Sequence, residues 1–407
     1  MSRRVGHSGV SRSKRFGGAL DAGARRAAVT DSERMILGVV LRGGGLTQPE
    51  ISRGTGLAQQ SVSRLVKGLI ERGALYEGAR VLEGRRGQPS MSVEIAPDYL
   101  YSFGVAMMTD ALSVVLMDFS GIVLEQAFFP MPVMSRSRVF EKLESTFESF
   151  LRKRHLDREC VFGVGVGVSG YCLGGRGRYN TPRSLDEWAL VDIGAILSDR
   201  LNYPVWVEND GNVAAIGESL VGAGRASSDF VYLYIAAGIG GGVVINNSLL
   251  RGRHGNGGEI GLMLPRGTYA QPDLSLLRNL VAKGGVEMDG ISDMLSRFDI
   301  GWAGNDEWIE RTRDSFSLII SALAATLDPD AIVIGGRIPK ALAERLIPNI
   351  EIFDDARRAE PRTMPRVILS ETAGDACAIG AAALPLHSHF FTVGQGLVTN
   401  PITGQWT

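Results

Sequence analysis

Residues 235–244 read IAAGIGGGVV, four glycines in ten residues between two apolar runs, DFVYLY before and INNSLLRG after. The pattern is strand, glycine turn, strand. Glycine-rich turns let backbone N–H groups close on phosphate oxygens, so the stretch resembles a phosphate-binding loop. A loop of that kind would also carry a hydroxyl, and Ala237 has none. Glycines in a tight strand connection have a second explanation, the geometry of the turn itself. How this turn is read separates a phosphate-transferring enzyme from a protein that keeps only the enzyme's scaffold.

Outward from the turn, the pattern repeats. ECVFGVGVGVSG (159–170) is a buried strand ending in glycines, and PVWVEND (204–210) is a strand running into the helix GNVAAIGESLVG. WIERTRDSFSLIISALAATLDPDAIVIGGRI is a long helix followed by a short buried strand, and AGDACAIGAAALPL closes the region as a helix. YSFGVAMMTDALSVVLMDFSGIVLEQAFF (101–129) alternates as two strands with DFSG as the turn. Strand–helix alternation with glycines at strand ends predicts an α/β body of two similar lobes around a cleft.

The front of the chain is different. A helical strip begins at Asp31 with Met35, Ile36, Val39 and Val40 on one face, and Gly43-Gly44-Gly45 ends it. In LTQPEISRGTG, Thr47 and Glu50 have capping-box spacing. The next helix, in LAQQSVSRLVKGLIERG, buries Val62, Leu65, Val66, Leu69 and Ile70, and leaves Gln59, Gln60, Ser61, Ser63, Arg64 and Lys67 open. Ala58 sits where that helix would take a Ser or Thr cap. Two short helices across a glycine turn form a helix-turn-helix, whose second helix can enter a major groove. ALYEGARVLEGRRGQPSMSVEI then reads as two strands around a wing. Arg85, Arg86 and Gln88 lie at its tip, positions suited to phosphates or the minor groove. The candidate DNA-binding set is therefore Thr47, Gln59, Gln60, Ser61, Ser63, Arg64, Lys67, Arg85, Arg86 and Gln88. The plainer reading is a three-helix surface with a hairpin and a solvated polar face.

Charge supports the DNA reading. The net charge is −1, yet residues 1–97 hold 16 Lys and Arg against 8 Asp and Glu, and the remainder 27 against 36. Much of the basic excess falls in residues 1–29, a Gly- and Ser-containing arm expected to be disordered alone, which either contacts phosphates or is merely solvated. No run approaches 18 apolar residues, so no transmembrane helix is expected, and no secretory signal is legible at the start. Three separated cysteines, Cys160, Cys172 and Cys377, suggest neither a disulfide framework nor a zinc cluster, in keeping with a cytoplasmic protein.

From about Thr30 to Pro385 the chain resembles the ROK family (repressor, open reading frame, kinase). VENDGNVAAIGE, GIGGGVVINNSLLRG, GGEIGLM and LDPDAIVIGGRI carry the resemblance, and the winged helix in front marks the family's repressor branch. It implies a winged helix-turn-helix (residues 30–97), then a two-lobed sugar-kinase/actin-like α/β body for effector binding and oligomerisation (98–386), and a C-terminal tail (387–407). In the family's kinases the catalytic base matches Asp210. Their early Asp-x-Gly-Gly-Thr phosphate turn falls on GVAMMTDA, where Ala106 replaces the carboxylate, Met108 and Thr109 the glycines and Asp110 the threonine. With Ala237 also lacking its hydroxyl, no catalysis and no nucleotide cofactor are expected. VIGGRI, near the family's adenosine contact, reads as strand-end packing. The family's zinc histidine falls on Leu262 with no cysteine following, so no metal is expected, and the nearby His254 reads as solvated. Asn180, Asn209, Asp210 and Glu259 remain as candidate contacts for a sugar-type effector, although Asn209 and Asp210 also suit a helix cap. The resemblance implies operator DNA and a small-molecule effector as partners, in a homodimer or tetramer with no membrane role. A sugar kinase with a regulatory front end, or a ligand-free body used for assembly, are the competing readings.

Overall fold

The computed structural model describes residues 29–81, 90–174, 177–354, 362–372 and 374–391. The front module is α1 (Asp31–Gly43), α2 (Gln48–Thr55), α3 (Gln59–Glu71) and the antiparallel hairpin β1 (Leu75–Val81) and β2 (Ser90–Ile95). Each helix start is chemically explicable. Thr30 and Glu33 cap α1, and Thr47 and Glu50 cap α2, whereas α3 begins at Ala58 with no side-chain cap. Gly56, in the left-handed region at φ 70°, ends α2 and turns the chain toward α3. Ile36, Leu37, Val40, Ile51, Val62, Val66 and Leu69 are fully or almost fully buried and form the module's core.

The body contains two five-stranded sheets of matching topology. The first is ordered β5 (Val123–Pro130), β4 (Ala111–Asp118), β3 (Tyr101–Met107), β6 (Val161–Val168), β9 (Val205–Asn209). Between β6 and β9 lie the short hairpin strands β7 (Tyr171–Cys172) and β8 (Tyr179–Asn180). The second sheet is ordered β12 (Ser248–Leu249), β11 (Ile239–Ile245), β10 (Phe230–Ile235), β13 (Ala331–Gly336), β14 (Arg366–Leu369). In each sheet an antiparallel meander gives way to two parallel strands. The two similar lobes expected from the alternation are present. Residues 101–129 form three strands rather than two, because Met108–Asp110 makes a turn closed by Met108 N–H to Ala111 C=O at 3.0 Å.

Helices α4 (Arg136–Arg154) and α5 (Ile193–Leu201) belong to the first lobe. The short α8 (Ile291–Ser296), α10 (Lys340–Leu346), α7 (Leu274–Lys283) and the 25-residue α9 (Ala303–Leu327) belong to the second. Helices α6 (Asp210–Val221) and α11 (Ala376–Leu386) cross between the lobes, in van der Waals contact through glycine. A Cβ on Gly380 would lie 1.6 Å from the Val213 carbonyl oxygen, and one on Gly165 1.8 Å from that of Ala381. This close crossing aligns α11 with both sheets. Beyond Leu386 the chain does not become a tail at once. His387–Phe391 continue as a π-helical turn, with Phe390 fully buried against Tyr99, Phe119 and Phe162. The Phe391 carbonyl lies so close to Gly38 of α1 that a Cβ there would sit 2.9 Å from it.

Candidate functional site

The first candidate surface is the open face of α3. Gln59, Gln60, Ser63, Arg64 and Lys67 are exposed and Ser61 half-buried, while Val62, Val66 and Leu69 turn inward. Lys67 lies 3.9 Å from Glu71, an exposed pair too loose to occupy the ammonium group. Thr47 is a correction. Its side chain is fully buried and its hydroxyl donates to Glu50 Oε2 at 2.8 Å, so it sets the start of α2 and presents nothing to a ligand. Arg85, Arg86 and Gln88 lie outside the described residues.

The second is a cavity of about 170 Å³ between the lobes, lined by Asp210, Glu259, Asn209, Ser169, Tyr171 and Gly240 among others. Strand β9 delivers Asn209 and Asp210 to its rim, and α6 starts there. Asn209 Oδ1 accepts from the N–H groups of Gly211 (2.9 Å) and Asn212 (3.2 Å), and its amide donates to the Gly170 carbonyl at 2.9 Å. It is a helix cap with every group engaged. Asp210 is different. One carboxylate oxygen accepts from the Ser169 hydroxyl and the other from Gly211 N–H, yet burial pushes its pKa up to about 6. Glu259 is also raised, by burial and then by the charge of Asp210. Two carboxyls with a shared tendency to hold a proton thus face one small cavity. Asn180 stands one residue back: its amide donates to the Tyr171 hydroxyl at 2.7 Å, and Tyr171 is what lines the space.

The glycine turn resolves into two pairs. A Cβ on Gly241 would lie 2.4 Å from the Tyr232 carbonyl oxygen and one on Gly242 2.9 Å from that of Gly211, so both positions are required by packing of β11. Gly238 and Gly240 have nothing within 4 Å of a Cβ and neither has a positive φ. Neither conformation nor packing requires glycine there, so turn geometry does not account for the whole motif. Ala237 adds only a carbonyl, which accepts from Ser275 at 2.6 Å. Opposite, Met108 is buried and lines the cavity with Thr109, filling the side where the resemblance implies a phosphate turn.

Asp110 and Arg337 make a contact that residue-by-residue reading missed. Arg337 leaves the end of β13 in the second lobe and pairs with Asp110 of the first at 2.5 Å. Ser292, at the start of α8, donates to the same carboxylate through its N–H (2.8 Å) and hydroxyl (2.6 Å). Burial alone would raise the Asp110 pKa, but the charge of Arg337 and these hydrogen bonds outweigh it and hold the carboxyl below its ordinary range. VIGGRI is therefore more than strand-end packing, since its Arg337 ties the lobes together. Leu262, at the position of the family's zinc histidine, is 75% exposed. Among the described residues no three His, Cys, Asp or Glu side chains gather as a metal cluster, and no helix is long and apolar enough to cross a membrane.

Fold and site together define a winged helix joined to a two-lobed, sugar-kinase-like body. Residues 103–272 match the model of the ROK family, and residues 29–86 that of the MarR family. The chain carries a ROK domain behind a winged helix of MarR type. The chain is 27% identical over 232 residues to the xylose repressor of Bacillus subtilis (strain 168), a match spanning 57% of this chain and 60% of that one. An uncharacterized protein of Sinorhizobium fredii is 28% identical over 382 residues, 91% of this chain and 93% of its own. Among solved structures, a ROK family transcriptional regulator described as a homolog of E. coli MLC superposes with a TM-score of 0.66 at 20% identity, covering 89% of this chain and 98% of that one. A ROK family glucokinase from Streptomyces griseus, in complex with glucose and AMPPNP, gives 0.56 at 22%, covering 70% of this chain and 98% of that one. At these identities the structural likeness establishes the fold.

Proposed function

We propose that this chain is a DNA-binding transcriptional repressor whose kinase-like cleft binds a carbohydrate as effector and does not phosphorylate it. The observation that carries the proposal is a combination within one chain. A winged helix with an open Gln, Ser and Arg face precedes a cleft that keeps Asp210 and Glu259 but has Met108 and Ala237 on its phosphate side. Amide and guanidinium side chains at the start of a recognition helix match adenine and guanine edges. Two carboxyls in a confined cavity match sugar hydroxyls, which both donate and accept. Similarity to xylose repressors supports a sugar as the ligand class.

Coupling between the two sites has a physical route. Helix α11 starts beside the cleft, where Asp375 caps it and Cys377 abuts Gly167, and it ends in the turn that presses on α1. A sugar that changes how the lobes close would move that turn against the DNA-binding module. The effector then acts through its difference in affinity for the two arrangements. Assembly as a homodimer, or a dimer of dimers, would place two recognition helices on one operator.

The competing reading is a sugar kinase with a regulatory front end. It is favoured by Asp210, whose raised pKa near neutrality suits a general base. Incubating the protein with ATP and a panel of hexoses and pentoses separates the two. The proposal expects no turnover and a sugar-dependent change in operator affinity. Phosphorylated product whose formation is abolished by Asp210→Asn would replace it with the kinase.

A further inference from the structure

Away from the cleft, three adjoining cavities of about 210, 30 and 230 Å³ lie where the winged helix meets the body. All three are lined by His387 and Asn247, so they adjoin one another around these two side chains. Arg42 of α1 lines the 210 and 230 Å³ cavities, Arg225, from the segment after α6, lines the 210 Å³ one, and Arg251, from the segment after β12, lines the 30 Å³ one. Among the described residues, no Asp or Glu lines any of the three. Arg251 is tied through Nε to the buried Glu208, which leaves its Nη1 and Nη2 buried without a partner among the described residues. The side chains of Arg42 and Arg225 also have no ion pair or hydrogen bond there. The charge acts on its surroundings: burial, then Arg42 and Arg251, push the His387 pKa down to about 4. Met117, Leu386 and Phe391 form an apolar wall on one side of the 210 Å³ cavity.

We propose that this junction is a second ligand site, one that takes a small phosphate-bearing anion, either inorganic phosphate or the phosphate ester of a small organic molecule. Guanidinium N–H groups present the planar fork from which phosphate oxygens accept. Arg42 and Arg225 are exposed, and the buried unpaired nitrogens of Arg251 are costly until an acceptor arrives. The Asp210 cleft, by contrast, is lined by two carboxyls, Asp210 and Glu259, beside the Arg337 that is paired with Asp110. Because Arg42 comes from the DNA-binding module and Arg225 and Arg251 from the second lobe, the bound anion would tether one to the other.

The test uses the full chain without DNA or sugar. Thermal unfolding is followed against inorganic phosphate and, separately, glucose 6-phosphate, with chloride at matched ionic strength as the reference. The expected result is stabilisation by at least one phosphate species beyond chloride, with an apparent Kd raised at least tenfold in Arg42→Ser/Arg225→Ser and unchanged in Asp210→Asn. A larger response to the ester than to inorganic phosphate would make the apolar wall part of the site, and equal responses would confine it to the phosphate. Arg225→Ser alone, at an exposed position without a bond to lose, should weaken binding several-fold and keeps the test valid if the double variant is poorly folded. No stabilisation beyond chloride, an undiminished response in the Arg variants, or a response lost only in Asp210→Asn would overturn the proposal. None of these outcomes bears on operator binding, so its failure is separate from that of the repressor reading.

Discussion

Replacing Asp210 with Asn should stabilise the protein above neutral pH while weakening its ligand. The folded pKa of about 6 lies above the ordinary value of 3.8. The ionised carboxylate therefore costs the fold stability that is fully felt above pH 6 and vanishes below pH 3.8. The difference between those values corresponds to on the order of 3 kcal/mol. Asn retains an oxygen for Gly211 N–H and can donate its amide to the Ser169 hydroxyl, so the local hydrogen bonds survive. Thermal unfolding of wild type and variant from pH 4 to 8, in a buffer free of phosphate and sugar, measures the effect. Asp273, also pushed to about 6, is common to both proteins and cancels in the comparison. The gain in Tm should be largest at pH 7–8 and shrink toward zero by pH 4, at roughly 1–2 °C per kcal/mol for a chain of this length. Sugar affinity should fall at least tenfold, the loss of a hydrogen bond to a charged group. A Tm difference that is the same at every pH, or a destabilised variant at pH 8, would refute the burial argument.

Other consequences are as direct. Arg337→Ala removes the tie between the lobes and strands Asp110, so it should cost somewhat less than the roughly 3–5 kcal/mol of a fully buried pair, read by denaturant unfolding. Gly380→Ala drives a methyl into the Val213 carbonyl and should destabilise by about 1–3 kcal/mol or more, where the same change at Gly240 should be nearly silent. His387 stays neutral down to about pH 4, below its ordinary 6.5, so the fold loses stability as pH falls through that window; His387→Leu should remove that slope from the stability–pH curve, up to about 3 kcal/mol at pH 4. Arg64→Ala should weaken operator binding and lower the slope of log affinity against log salt by about one.

Local signals made much of this legible. Capping pairs, glycine turns and helical strips mark the winged helix in the sequence alone, and α3 indeed starts at Ala58 without a side-chain cap. Strand–helix alternation marked the two lobes. The turn at Met108–Asp110 was hidden because it contains neither Gly nor Pro, so an apolar run read as one strand where there are two. The tie between Asp110 and Arg337 joins residues 227 apart in the chain, and no local pattern carries such a pairing. His387–Phe391 read as the start of a tail because Pro385 signals a helix end. Gly165, by lacking a Cβ, makes room for that proline ring, and the chain continues beyond it into packed structure. Capping-box spacing identified Thr47 correctly as a helix start but could not say that the same role buries its side chain. In the glycine turn, the sequence could not separate Gly241 and Gly242, held by packing, from Gly238 and Gly240, which stand open to the cavity.

The most direct test of the account is fluorescence anisotropy of a labelled duplex from the DNA flanking this gene, titrated with the protein in the presence of each sugar in a broad panel. Salt-dependent, sequence-specific binding whose affinity at least one sugar changes tenfold or more, with the change lost in Asp210→Asn, is the predicted result. Binding indifferent to every sugar, or no specific binding at all, would contradict it.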